Sequence, residues 1–311
     1  MDTNRLFVPR DAELRRLAER IHDERPDLRA AFPVADGTAF WQWLGTHGRL
    51  EYHEVAQRLL PVPPEGLRAT GCGGDTVATH LYTGAEDCKM LLELAGLFGD
   101  GPVASIRSVL DFGCGCGRAL RWFAQALPDA ALHGVDVRKA SIDWCAACLP
   151  GHYVCTGIRP PLPFPDASFD LVYALSVFSH LNLDQQHAWM RELVRVTKPD
   201  GLVLASTHGA FAAAMCARSR EHQQLLQIDA ADARAIVRAL ATEPFVHRVL
   251  PAAIRASADG VADDYGQAFF GDAFARGAFA AFADYLGGVP CALNLFQDMH
   301  AWRPRRGSAR P

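Results

Sequence analysis

The chain has 311 residues, half of them hydrophobic and 21% charged, with a formal net charge of −4. That balance fits a globular protein of one large or two smaller domains and excludes a disordered or collagen-like chain. Outside the arginines between Arg303 and Arg310 there is no basic tract, so a nucleic-acid partner is not expected. No apolar run approaches the ~20 residues a membrane helix needs, so a membrane partner is not expected either.

Met1 to Arg5 lack a signal-peptide core, and nine cysteines are an odd number. Both point to reduced thiols in a cytoplasmic protein. Residues 1–100 read as a helical cap. Asp11–Arg20 and Glu51–Leu60 repeat apolar residues at three- and four-residue spacing, and Phe40, Trp41, Trp43 and Leu44 form a dense aromatic group between them. That group reads as core packing or as one wall of a substrate pocket. Pro61–Gly66 is a linker signal, and Val77–Phe98 is one or two helices leading to the first strand.

From residue 106 the pattern alternates strand and helix. The expected strands are Ile106–Asp111, Ala131–Asp136, Tyr153–Cys155, Phe169–Ala174 and Leu202–Ser206. Such alternation implies a parallel, doubly wound sheet. Val109-Leu110-Asp111-Phe112-Gly113-Cys114-Gly115-Cys116-Gly117 links the first strand to a helix expected over Arg118–Leu127. Glycines leave the turn free of Cβ atoms, so a ligand can approach the N–H groups at the helix start. Asp136 ends the second strand, where a carboxylate can hold the hydroxyls of a nucleoside ribose. A glycine-rich turn without a ligand is the plainer alternative.

Cys145 and Cys148 sit with two residues between them in a helical segment without a second such pair, and read as buried thiols. No cluster of metal-ligating residues lies near the strand ends, so no metal is expected. Asn182 followed by Gln185 is a cap for a helix running to Thr197, and Lys198–Gly201 ends it. Residues 208–266 are too long for an ordinary connection and read as an insertion, or lid, over an acceptor site. Phe274–Tyr285 is expected to be helical, and Gly287–Ala292 with Leu295–Trp302 a closing hairpin within a C-terminal unit of residues 267–311.

The glycine pattern is G-x-G-x-G preceded by Asp111, because position 118 is Arg118 where a dinucleotide fingerprint has its third glycine. Pro160–Tyr173, Ser176–Leu181 and Glu192–Gly201 extend the pattern. Over residues 106–207 the chain resembles class I S-adenosylmethionine (SAM) dependent methyltransferases of the bacterial small-molecule type. The resemblance implies an α/β, doubly wound, Rossmann-like seven-stranded sheet with an antiparallel last strand, and a SAM-binding core over residues 101–207. It implies that Asp111, Gly113, Cys114 and Gly115 hold the methionine end, that Asp136 holds the ribose, and that Val137 and Ser176 line the cofactor site. The cofactor would be SAM and the partner a small-molecule acceptor, methylated at oxygen or nitrogen, with secondary metabolites or sugar derivatives favoured. A homodimer is one assembly open to it.

An oxygen or nitrogen acceptor can require a base. His208, which opens the insertion, and His180, which follows the fourth strand, are the candidates. His180 reads equally as a structural histidine near the next helix. Tyr173 and Tyr265 are weaker candidates. Arg118 reads as a partner for a cofactor carboxylate, for Asp111, or for solvent. Two other functions remain open: a scaffold that binds SAM without catalysis, and a nicotinamide-dependent oxidoreductase, which the absent third glycine disfavours.

Overall fold

The computed structural model of the chain describes residue 23 and residues 61–69, 77–257 and 264–305. The helices expected at Asp11–Arg20 and Glu51–Leu60, and the group Phe40, Trp41, Trp43 and Leu44, lie outside the described residues.

After a short helix α1 (Glu65–Ala69), Val77–Phe98 forms one continuous helix, α2. Alternation then begins: β1 (Ser108–Phe112), α3 (Leu120–Ala126), β2 (Ala131–Asp136), α4 (Lys139–Cys148), β3 (His152–Cys155), β4 (Phe169–Ala174), α5 (Leu183–Val196) and β5 (Thr197–Thr207). Two further strands, β8 (Ala283–Leu293) and β9 (Gln297–Pro304), close a seven-stranded sheet of order β3-β2-β1-β4-β5-β9-β8. The first five strands are parallel, and β9 runs antiparallel to both β5 and β8. The reversed last strand therefore sits inside the sheet.

Alternate residues of each central strand enter opposite cores, as a parallel sheet covered on both faces requires. Val109, Tyr173 and Leu204 face a core built with Leu91, Trp122 and Phe123 of α2 and α3. Leu110, Val172 and Val203 face one built with Trp189, Met190, Phe274 and Trp302. Asn182 caps α5 through a reciprocal pair of hydrogen bonds with Gln185, as the sequence implied.

Several boundaries differ from expectation, among them β1, which runs Ser108–Phe112 where Ile106–Asp111 was expected. Helix α3 begins at Leu120 instead of Arg118. Strand β5 begins at Thr197, so Lys198–Gly201 lies within it. The β4–β5 register shifts between Phe169 and Leu171, and a Cβ at Gly201 would come within 2.8 Å of the Asp170 carbonyl oxygen. The irregularity fits only because position 201 is glycine. The helix expected over Phe274–Tyr285 is short, α10 (Asp272–Ala278), and Ala283–Tyr285 belongs to β8. Pairing of Ala283 and Tyr285 with Pro304 and Trp302 of β9 overrides the local helical pattern.

Between β5 and α10 the chain forms α6 (Ala210–Arg218), α7 (Arg220–Leu226), α8 (Ala230–Ala239), β6 (Phe245–Val249), α9 (Ala252–Ser257) and β7 (Gly266–Phe270). Strands β6 and β7 pair antiparallel as a separate two-stranded sheet. A third apolar cluster, including Ala213, Ile236, Phe269 and Phe296, lies under these helices. Strand β7 also stitches the segment to the main sheet: Ala268 N–H donates to the Ser179 carbonyl at 2.7 Å and Phe270 N–H to the His208 carbonyl at 2.9 Å.

Candidate functional site

The glycine turn after β1 is anchored on the end of β2. The N–H groups of Gly113 and Cys114 both donate to the Val135 carbonyl, at 2.8 and 2.9 Å. Gly113, Gly115 and Gly117 have φ values of 81°, 52° and 67°, a region that side chains rarely enter. A Cβ at Gly113 would also overlap the Val177 side chain, which brings the segment after β4 against the turn.

Asp136 reaches this turn directly. Its Oδ2 accepts from Gly115 N–H at 2.8 Å and its Oδ1 from Arg138 N–H at 2.9 Å. The carboxylate is thus fixed at the end of β2 by the loop after β1, with the Arg138 guanidinium beside it. Val137 follows, half-buried.

Asp111 lies deeper. Tyr173 donates its hydroxyl to Asp111 Oδ2 at 2.8 Å, and Tyr173 stacks on Phe123 with ring centroids 5.4 Å apart. The Tyr173 hydroxyl is committed to Asp111, which removes it from the candidates for a base. Burial pushes the Asp111 carboxyl up to about 8, with nearby Asp136 and Asp87 adding repulsion against the Tyr173 hydrogen bond and the Arg118 charge. Arg118 pairs with Asp87 of α2, so of its sequence-level readings neither Asp111 nor open solvent is its partner. Asp87 itself is held up at about 6 by burial.

These shifts have a sign. An aspartate whose carboxyl titrates near ~4 when unfolded and about 8 when folded stabilises the fold fully below the lower value and loses that contribution as pH rises through the higher one. Asp111→Asn keeps an acceptor for the Tyr173 hydroxyl and removes the titration. The wild-type melting temperature should fall between pH 5 and 8, and the variant's should fall less. Parallel melting curves would exclude Asp111 as the titrating group.

Cys114 is buried, with its thiol turned into the core beside Cys145. The two sulfurs lie 3.7 and 3.6 Å from the Gly115 carbonyl oxygen. No two of the eight cysteines among the described residues are joined by a disulfide. Gly134, which the sequence reading passed over, makes this packing possible: a Cβ there would sit 2.7 Å from the Tyr153 ring and 2.9 Å from Cys114 Sγ. Gly84 on α2 allows the backbone to meet Arg118 at the start of α3. Neither glycine stands in a motif, so only the packing reveals them.

Ser176 is exposed at the end of β4, with φ 56°. His180 and His208 lie beyond it, ring centroids 6.3 Å apart. His180 Nδ1 donates to the Gly266 carbonyl at 2.9 Å, so Nδ1 carries the proton, and its ring stacks on Tyr265 at 4.8 Å. His208 is 1% exposed, packed against Phe269 and Phe296, and neither ring nitrogen has a hydrogen-bond partner among the described residues. Burial lowers its pKa to about 3, so the imidazole is neutral at ordinary pH. Phe211 is exposed in the first turn of α6, while Trp41 and Trp43 lie outside the described residues.

Among the described residues no group of three or more His, Cys, Asp and Glu is placed to hold a metal ion. No helix among them is long and apolar enough to cross a membrane.

Residues 109–201 match the family model described as a methyltransferase domain. An uncharacterised methyltransferase of Schizosaccharomyces pombe is 31% identical over 180 residues, 52% of this chain and 59% of that protein. Malonyl-[acyl-carrier protein] O-methyltransferase of Halorhodospira halophila is 36% identical over 110 residues, 33% of this chain and 35% of that one. The matches thus span between about a third and three-fifths of these relatives' lengths. A solved SAM-dependent methyltransferase from Clostridium acetobutylicum aligns with a TM-score of 0.47 at 10% identity, covering 71% of this chain and 91% of that one.

Proposed function

We propose that this chain is a class I SAM-dependent methyltransferase that transfers a methyl group from SAM to an oxygen or nitrogen of a small molecule. The observation that carries this reading is the Asp136 carboxylate, fixed at the end of β2 and hydrogen-bonded to Gly115 of the glycine turn. That arrangement puts a ribose acceptor and a Cβ-free turn side by side.

SAM supplies a methyl group already activated by that sulfonium. The protein's part is then to orient the acceptor and exclude water. In this reading Asp136 takes the ribose hydroxyls, Gly113, Cys114 and Gly115 border the methionine end, and Asp111 supports the turn from beneath. Val137 lies beside the nucleoside. Residues 208–266 form the acceptor-side cover over the core of residues 101–207, with 267–311 completing the sheet. Secondary metabolites or sugar derivatives are the acceptor classes we favour, in a cytoplasmic protein, either alone or as a homodimer, with no nucleic acid involved. One of the relatives named above is by its name an O-methyltransferase acting on malonyl-[acyl-carrier protein].

For the acceptor's proton we keep His208 as the candidate base, since both its ring nitrogens are unpartnered in a neutral imidazole. Its low pKa makes it a weak base, so its share falls at the lower end of the ~10²–10⁴-fold range for such catalysis. His180, with Nδ1 committed to Gly266, is the second candidate. His208→Phe suits the aromatic surroundings and should lower turnover by about a hundred-fold at unchanged SAM affinity. Unchanged turnover would leave alignment without a base.

The reading is tested first by calorimetry with SAM and with NAD, then by incubating small-molecule extracts with labelled SAM and identifying the labelled product by mass spectrometry. SAM binding together with a labelled product supports it. Binding of NAD and not SAM would replace it with the oxidoreductase.

A further inference from the structure

Three side chains from three strand ends close a ring of hydrogen bonds beside the glycine turn. Ser176 N–H, after β4, donates to Ser206 Oγ of β5 at 2.7 Å. Ser206 Oγ donates to Gln297 Oε1, the first residue of β9, at 2.7 Å. Gln297 Nε2 donates back to Ser176 Oγ at 2.9 Å. Ser206 is fully buried and Gln297 half-buried, while Ser176 is exposed. Ser176 also holds φ at 56°, a conformation that costs a non-glycine residue free energy and persists only where its surroundings enforce it. The ring is that enforcement.

The ring also fixes the polarity of the Ser176 hydroxyl. A hydroxyl offers one donor and two acceptor sites. With an amide N–H from Gln297 on one lone pair, its O–H proton and one lone pair stay open, and toward an anion the O–H is the group that points outward as a donor. The Val177 side chain lies against Gly113, so this donor flanks the turn.

Resting on the SAM reading above, we propose that Ser176 donates a hydrogen bond to the carboxylate of the cofactor's amino-acid arm, and that Gln297 and Ser206 are the positioning residues that aim it. The charges around the turn favour this side. Asp87 and Asp136 come from α2 and β2, and their carboxylates repel a carboxylate while attracting the arm's ammonium. The two guanidiniums near them are engaged, Arg118 by Asp87 and Arg138 by Asp136. The arm is a zwitterion, so its ammonium turns to the aspartates of α2 and β2. Its carboxylate turns to β4, where the neutral donor stands. A hydroxyl suits that place because it adds no charge that would compete with the sulfonium for the same aspartates.

The test is calorimetry with SAM, S-adenosylhomocysteine and 5′-methylthioadenosine, the last of which keeps the adenosine and sulfur but lacks the arm. The variants are Ser176→Gly, which has no Cβ to strain at this φ, and Gln297→Leu. Each should weaken SAM and S-adenosylhomocysteine by about ten- to a hundred-fold, the worth of a hydrogen bond to a charged group, and leave methylthioadenosine unchanged. The double variant should be little worse than either single one, since both changes remove the same bond. A general loosening of the fold would weaken all three ligands together. Equal losses for methylthioadenosine, or unchanged SAM affinity in Ser176→Gly, would overturn the proposal. Wild-type protein that binds none of the three ligands would instead overturn the SAM reading on which it rests.

Discussion

Asp136→Ala is expected to weaken SAM binding by about ten- to a hundred-fold, because a hydrogen bond to a charged group contributes roughly 1.5–3 kcal/mol. The fold should suffer as well. Asp136 accepts from Gly115 N–H and Arg138 N–H, and the alanine variant leaves the buried Gly115 donor without its partner. An unsatisfied buried donor costs about 1–3 kcal/mol, so the melting temperature should fall measurably. Asp136→Asn retains one acceptor oxygen and loses the charge, and should fall between wild type and Asp136→Ala in both measurements. Calorimetry showing wild-type SAM affinity in a folded Asp136→Ala protein would remove Asp136 from the ribose site.

Gly113→Ala should be as damaging by a different route. At φ 81° an alanine is strained, and its methyl group would overlap Val177 Cγ2. The turn can relieve the overlap only by moving away from the segment after β4, which takes Cys114 and Gly115 with it and disturbs the contact with Asp136. Loss of measurable SAM binding is expected, with the sheet retained, as circular dichroism would show. Adding Val177→Ala removes the overlap and leaves the backbone strain, so the double variant should recover part of the stability. A Gly113→Ala protein that binds SAM normally would mean that the turn does not border the ligand.

Much of this site was legible in the sequence because its causes are local. The runs 108–112 and 131–136 are apolar enough to be buried strands, with Asp111 next to last in the first and Asp136 last in the second. Their parallel pairing, Ser108 with Ala131 through Phe112 with Val135, then brings Asp136 to the glycine turn. The cap at Asn182 and Gln185 is a bond between residues three apart, so its signal is complete within one helical turn.

What escaped the sequence are partnerships between distant segments. Arg118 had three readings, and its choice of Asp87 follows from the approach of α2 at Gly84. The helical pattern through Tyr285 gave way to β8 because β9 supplied backbone partners. His208 opens the insertion in sequence, yet β7 and the β8–β9 turn bring Phe269 and Phe296 over it and suppress its protonation. Gln297 lies 121 residues from Ser176, and nothing near either residue announces the bond between them. The sequence by itself determined the strands, the turn and the two carboxylates at their ends, since backbone conformation and burial of a short segment depend on its own side chains. Only the tertiary structure decided which charges are paired, which imidazole is buried and which hydroxyl is aimed, because those energies arise between groups that the chain alone leaves far apart.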